Sequence, residues 1–186
     1  MEKVKFLFQS LKNFQQMGTV IRSGAQMCRK MTHFIDPEKD LNIVELGAGD
    51  GAITSFILER MSPLARLFVF EINPELCEVI AKLHDNRLIL INDSAEHLKI
   101  HLNKYGIKEV DTIISAIPFL VLPDQLTKTI LYLSKSVLKT GGIFIQMHYV
   151  KTVQKMYKNI FGNVHTYFVP VNIPPGYVFR CVKENE

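Results

Sequence analysis

Asn42-Ile43-Val44-Glu45-Leu46-Gly47-Ala48-Gly49-Asp50-Gly51-Ala52 reads as an apolar strand, a glycine-rich turn and the start of a helix. Ile43, Val44 and Leu46 are good strand formers. The glycines let the chain turn sharply and let a ligand approach the backbone, because no Cβ intervenes. From Ala52 a helical pattern takes over, with Ile53, Phe56, Ile57 and Arg60 spaced by three and four. A strand that feeds a helix through such a turn is a nucleotide-cofactor cradle.

Outward from this stretch, strand and helix patterns alternate. Strands are expected at 41–46, 67–72, 87–92, 110–116 and 142–148, and helices at 52–61, 74–84, 95–104 and 123–138. Pro74 opens the second helix, where its missing N–H costs nothing. Gly141-Gly142 is expected to end the fourth helix as a C-cap and turn. The tail 163–182 reads as two strands joined by Pro170-Val171-Asn172-Ile173-Pro174-Pro175-Gly176. Such alternation implies a Rossmann-like α/β fold, a mostly parallel seven-stranded sheet with helices on both faces. Right-handed crossovers put the ligand at the carboxyl ends of the strands.

Gly47-x-Gly49-x-x-Ala52 also satisfies the dinucleotide fingerprint, so other residues must choose the cofactor. Glu45 and Asp50 flank the turn, and carboxylates there repel a pyrophosphate but tolerate a sulfonium with an ammonium group. Glu71 ends the next apolar run and can accept from a ribose diol. Asp93, in Asn92-Asp93-Ser94, can accept from an adenine amino group. A solvated strand-end acid is the plainer role for Glu71, and a helix cap or turn the plainer role for Asp93.

This order, Glu-x-Gly-x-Gly-x-Gly, then Glu71-Ile72-Asn73, then Asn92-Asp93-Ser94, resembles the class I S-adenosylmethionine (SAM)-dependent methyltransferases over about residues 41–182. The resemblance implies SAM as cofactor. It places Gly47 and Gly49 under the methionine end, Glu71 at the ribose and Asp93 at the adenine. Glu45, Ala48, Ile72, Ser94 and Ser115 are the further cofactor-binding residues it implies.

The residues after the fourth strand read Ser115-Ala116-Ile117-Pro118-Phe119. Adenine amino-methyltransferases carry a polar Asn or Asp where this chain has Ala116. Alanine cannot hold an amino group by hydrogen bond, so nucleic acid is not the expected partner. The stretch is similar to the Ser-Gly-Leu-Pro segment of bacterial phospholipid N-methyltransferases of the soluble type. Gly141-Gly142, the Gln-x-x-Tyr of Gln146-Met147-His148-Tyr149, and Asn172-Ile173-Pro174-Pro175 extend that resemblance, with Ala116 for Gly and His148 as departures. It implies methyl transfer to the amine of phosphatidylethanolamine, toward phosphatidylcholine. Tyr149 and His148 are the candidate catalytic residues, and strand alternation aims only one of them at the site, Tyr149 by preference. Arg22, Ile117, Pro118 and Phe119 are the candidate substrate-binding residues, with Arg180 a further cation for a lipid phosphate. An rRNA adenine methyltransferase, a small-molecule methyltransferase and a non-catalytic SAM-binding protein are the alternatives.

The first forty residues differ from the rest. Between Met1 and Lys39 basic residues outnumber acidic ones seven to three, a surplus of four that equals the net charge of the whole chain. Val4, Leu7, Phe8, Leu11 and Phe14 form one stripe at helical spacing, flanked by Lys5 and Lys12. A basic amphipathic helix of this kind lies in a membrane interface or closes over the cofactor as a lid. A single domain, 1–186, is expected, with 1–39 as that lid or membrane-contacting segment and 40–186 as the catalytic core. No apolar run spans a bilayer and no secretory signal is expected. The expected location is the cytoplasm, peripheral on the inner face of the membrane. Cys28, Cys77 and Cys181 lack metal-ligand spacing, so no metal is expected and the thiols read as structural.

Overall fold

The computed structural model describes residues 24–184. The Val4–Phe14 stripe and Arg22 lie outside the described residues. The chain runs α1 (Ala25–Thr32), β1 (Asn42–Leu46), α2 (Ala52–Arg60), β2 (Arg66–Phe70), α3 (Pro74–Ala81) and β3 (Leu88–Ile91). A 3₁₀ turn (Ala95–His97) then leads into α4 (Leu98–Lys104), β4 (Val110–Ser115), α5 (Asp124–Val137), β5 (Leu138–His148), α6 (Gln154–Phe161), β6 (Gly162–Val169) and β7 (Gly176–Lys183).

The seven strands form one sheet in the order β3-β2-β1-β4-β5-β7-β6. The first five are parallel, and β7 is inserted antiparallel between β5 and β6. This is the Rossmann-like arrangement expected from the sequence. Strand alternation divides the core between two faces. Val44, Phe68, Phe70, Ile113 and Phe144 face α4, α5 and α6, while Ile43, Leu67, Val69, Ile114 and Ile145 face α1, α2 and α3.

Two local expectations need correction. The fourth predicted helix ends at Val137, and the chain enters β5 directly at Leu138. Gly141-Gly142 therefore is no helix cap but part of a bulge. The β4–β5 register slips there, from Val110↔Leu138 to Thr112↔Ile143, and Gly141 takes a φ of 78°. Helix α6 has no counterpart among the predicted elements. It crosses from the end of β5 to the start of β6 and buries Tyr157, Ile160 and Phe161.

Candidate active site

The glycine loop hangs from the end of β2. The N–H groups of Gly47 and Ala48 both donate to the Phe70 carbonyl, at 2.8 and 3.3 Å. Gly47 and Gly49 have φ of 72° and 60°, in the left-handed region that side chains disfavour. A Cβ on Gly49 would meet nothing within 4 Å, so the loop presents bare backbone to open space. A Cβ on Gly47 would lie 2.9 Å from Ile117 Cγ1. The glycine loop and the loop after β4 therefore touch.

Glu71 joins this loop to the end of β2. Its Oε2 accepts from the Gly49 N–H and its Oε1 from the Asn73 N–H, each at 2.8 Å. Its carbonyl accepts from Asn92 Nδ2 at 2.9 Å and from Cys77 Sγ at 3.4 Å, which ties in β3 and α3. Burial raises the Glu71 carboxyl above its usual range, against the backbone donors of Asn73 and Gly49. Ile72 is half-buried beside it. Cys77 thus has the structural role expected of it.

Asp93 is more heavily engaged than its sequence position suggests. Oδ1 accepts from the Ser94 N–H at 2.7 Å and lies 2.9 Å from His97 Nδ1, while Oδ2 lies 2.7 Å from His101 Nε2. Burial pushes its carboxyl up, but the hydrogen bonds of His101, His97 and Ser94 outweigh that and hold it at about 2. It is therefore ionised at neutral pH. Ser94 is buried and caps the 3₁₀ turn, its Oγ accepting from the Glu96 N–H at 3.3 Å. The histidines were not singled out from the sequence. Their spacing of four and eight from Asp93 is the signal that finds them.

Glu45 departs from its expected role. Its side chain is 1 % exposed and Oε2 accepts from Thr54 Oγ1 at 2.7 Å, which secures α2 beneath the loop. Burial pushes its carboxyl up to about 8, with Glu71 and Asp50 adding to the rise and Thr54 opposing it. Glu45 is thus protonated at neutral pH, and its charge does not select the cofactor. Asp50, which is exposed, and Glu71 are the other acids beside the glycine loop.

The loop after β4 is built as a tight turn. Ser115 is fully buried and its Oγ accepts from the Ile117 N–H at 3.3 Å. Gln146, opposite Ser115 in the register, donates through Nε2 to the Ile117 carbonyl at 3.0 Å. Ile117 and Pro118 are half-buried. Phe119 turns into the core, so its ring lines no open mouth.

His148 also points away from the expected mouth. It is buried against Tyr157 and Phe179, and its Nε2 lies 2.6 Å from the Tyr157 hydroxyl. Desolvation lowers its pKa to about 4. Tyr149 stands partly exposed at the end of β5, and burial raises its phenol above the ordinary value.

These groups fit SAM. An open glycine turn, the ionised Asp93 and the two-oxygen Glu71 acceptor stand at the carboxyl ends of β1, β2 and β3. Among the described residues no group of histidine, cysteine and acidic side chains can hold a metal ion.

No family model matches the chain. It is 31% identical over 191 residues to an ornithine lipid N-methyltransferase of Singulisphaera acidiphila, covering 98% of this chain and 100% of that one. It is 30% identical over 138 residues to ribosomal RNA small subunit methyltransferase A of Mycoplasma capricolum, covering 73% of this chain but 49% of that one. The fold is similar to the Burkholderia thailandensis 1,6-didemethyltoxoflavin-N1-methyltransferase bound to S-adenosylhomocysteine. The TM-score is 0.70 at 13% identity, over 98% of this chain and 87% of that one. Human methyltransferase-like protein 13, also with S-adenosylhomocysteine, gives a TM-score of 0.66 at 16% identity, over 88% and 84%.

Proposed function

The chain belongs to the class I SAM-dependent methyltransferases, and from that premise we propose that it methylates the amine of a membrane-lipid head group. The observation that carries this reading is the end-to-end match to a lipid N-methyltransferase, which leaves no unmatched domain in that relative. Ornithine lipid and phosphatidylethanolamine are the two acceptors the reading names, since both offer an amine beside acyl chains.

SAM supplies an already electrophilic methyl group, so the protein's work is alignment and exclusion of water. Gly47 and Gly49 give the cofactor bare backbone, Glu71 takes the ribose hydroxyls and Asp93 the adenine amine. The contact of Gly47 with Ile117 holds the acceptor loop against the cofactor loop. Ser115 and Gln146 fix the shape of that loop from below. Tyr149, neutral at physiological pH, orients the head group through its hydroxyl. The acceptor ammonium sheds its proton through desolvation on entry, without His148 as base, because burial has made that ring a poor proton acceptor.

A second reading, methylation of an RNA amine, draws on the match to the ribosomal RNA enzyme. Ala116 weighs against it, because the position lacks a side-chain acceptor for the target amine.

The test is transfer of labelled methyl from SAM into separate portions of ornithine lipid vesicles, phosphatidylethanolamine vesicles, total RNA and soluble amines. Label in either lipid is the expected result and identifies the head group. Label only in RNA or in soluble amines overturns the reading.

A further inference from the structure

Two loops and the end of one strand at the carboxyl edge of the sheet expose large apolar side chains. Leu120 (59 % exposed) lies in the loop after β4. Phe168 (55 %) ends β6, and Val171 (69 %) and Ile173 (85 %) project from the β6–β7 turn. The register brings these ends to one rim, because Ser115 pairs with Gln146, His148 with Tyr177 and Val169 with Gly176. Water-exposed apolar side chains gathered at the mouth of a site are unfavourable unless something covers them.

Charge indicates what covers them. Lys151 follows β5, Lys155 lies at the start of α6 and Lys128 in the second turn of α5, all exposed, while Asp124 is the single acid between Ala116 and Gly176. The Gly24 N–H donates to Asn172 Oδ1 at 3.1 Å, and Asn172 Nδ2 donates to the Pro174 carbonyl at 2.7 Å. Gly24, the first described residue, is therefore fastened to the same turn that carries Val171 and Ile173.

We infer that this rim is a docking surface for an anionic phospholipid bilayer, with Val171, Ile173 and Leu120 entering the interface and the lysines meeting the head groups. The inference rests on the lipid-methylation reading. It adds the orientation: the mouth between the β4–α5 and β6–β7 loops faces the membrane, so a head group reaches the site without leaving the bilayer.

The test uses the full chain and vesicles of phosphatidylcholine that carry ornithine lipid and phosphatidylethanolamine as methyl acceptors, with and without phosphatidylglycerol. Wild-type protein is expected to sediment with the anionic vesicles, and less so as salt is raised. The double substitution Val171→Asp/Ile173→Asp is expected to weaken that binding at least tenfold and to lower methyl transfer into vesicle lipid in step. SAM affinity by calorimetry is expected to stay unchanged. Val171→Ser/Ile173→Ser, milder in the turn, is expected to give a smaller loss and serves if the acidic pair lowers the melting temperature. Wild-type protein that ignores anionic vesicles, or substituted protein that binds them equally well, overturns the inference. So does a lipid-free dimer, or salt-sensitive RNA binding, that the same substitutions abolish. Vesicle binding lost on substitution, with no lipid methylated even by wild type, would keep the docking surface and remove the lipid-methylation reading.

Discussion

Ile117 Cγ1 stands where a Cβ on Gly47 would meet it at 2.9 Å, so the glycine loop after β1 and the loop after β4 are in direct contact. The two come from different strands, β1 and β4, whose register aligns Leu46 with Ser115. The approach of these two loops is thereby limited by one side chain against one bare backbone.

Gly47→Ala tests this contact. The substitution places a side chain at a φ of 72° and drives it into Ile117. The left-handed conformation alone costs roughly 1–2 kcal/mol for a residue with a Cβ. SAM affinity is expected to fall about tenfold, and turnover to fall further because the acceptor loop is displaced. Adding Ile117→Ala is expected to restore part of the turnover but not the strain, and a double-mutant cycle on turnover measures the difference. Strict additivity would show that the two loops act separately.

Glu71→Ala is expected to weaken SAM binding by about 1.5–3 kcal/mol, the worth of hydrogen bonds to a charged group. Part of that loss reflects the Gly49 and Asn73 N–H groups, which lose their acceptor. Calorimetry checks it. Unchanged affinity would mean that the cofactor lies elsewhere.

Glu45 governs a pH dependence of stability. In the folded chain its carboxyl stays protonated up to about pH 8, against 4.5 for the unperturbed group. Between those values the folded state holds a proton that the unfolded chain has released. Its contribution is intact below 4.5, and stability falls as pH rises through the window, by at most about 1.4 kcal/mol per pH unit. Glu45→Gln keeps an acceptor for the Thr54 hydroxyl and removes the titration. Denaturant melts of the SAM-free protein are expected to show a flatter profile for the variant from pH 5 to 8. Parallel profiles would place the proton on another group.

Tyr149 and His148 separate by their kinetics. Tyr149→Phe is expected to leave SAM affinity unchanged and to reduce kcat/KM for the lipid by roughly tenfold, the worth of about one hydrogen bond. His148→Gln is expected to leave the shape of the pH–rate profile as it is, because the ring is buried against Tyr157. Loss of the acidic limb in that variant would restore His148 as the base.

Tyr157→Phe leaves His148 Nε2 without its partner in the core. A buried group so orphaned costs about 1–3 kcal/mol, and the melting temperature is expected to drop accordingly. Turnover under stable conditions is expected to persist.

What the sequence by itself determined is whatever is encoded locally. The alternation of apolar strands and amphipathic helices, the glycine turn after β1, and Glu71 and Asp93 at their strand ends all follow from spacing within a few residues. The fold and the cofactor follow from that pattern. Tertiary structure alone decided how those groups behave. Glu45 lies in a strand and reads as a charge, yet full burial neutralises it against the opposing hydrogen bond from Thr54 on α2. His148 is an apt base by composition, but the face it takes on β5 and the arrival of α6 give it to Tyr157. Phe119 reads as a substrate-binding residue after β4 and packs in the core instead. Asn172 reads as a turn residue and fastens Gly24, 148 positions away. Burial and long-range hydrogen bonds depend on which faces meet, and that is fixed only when the whole sheet closes.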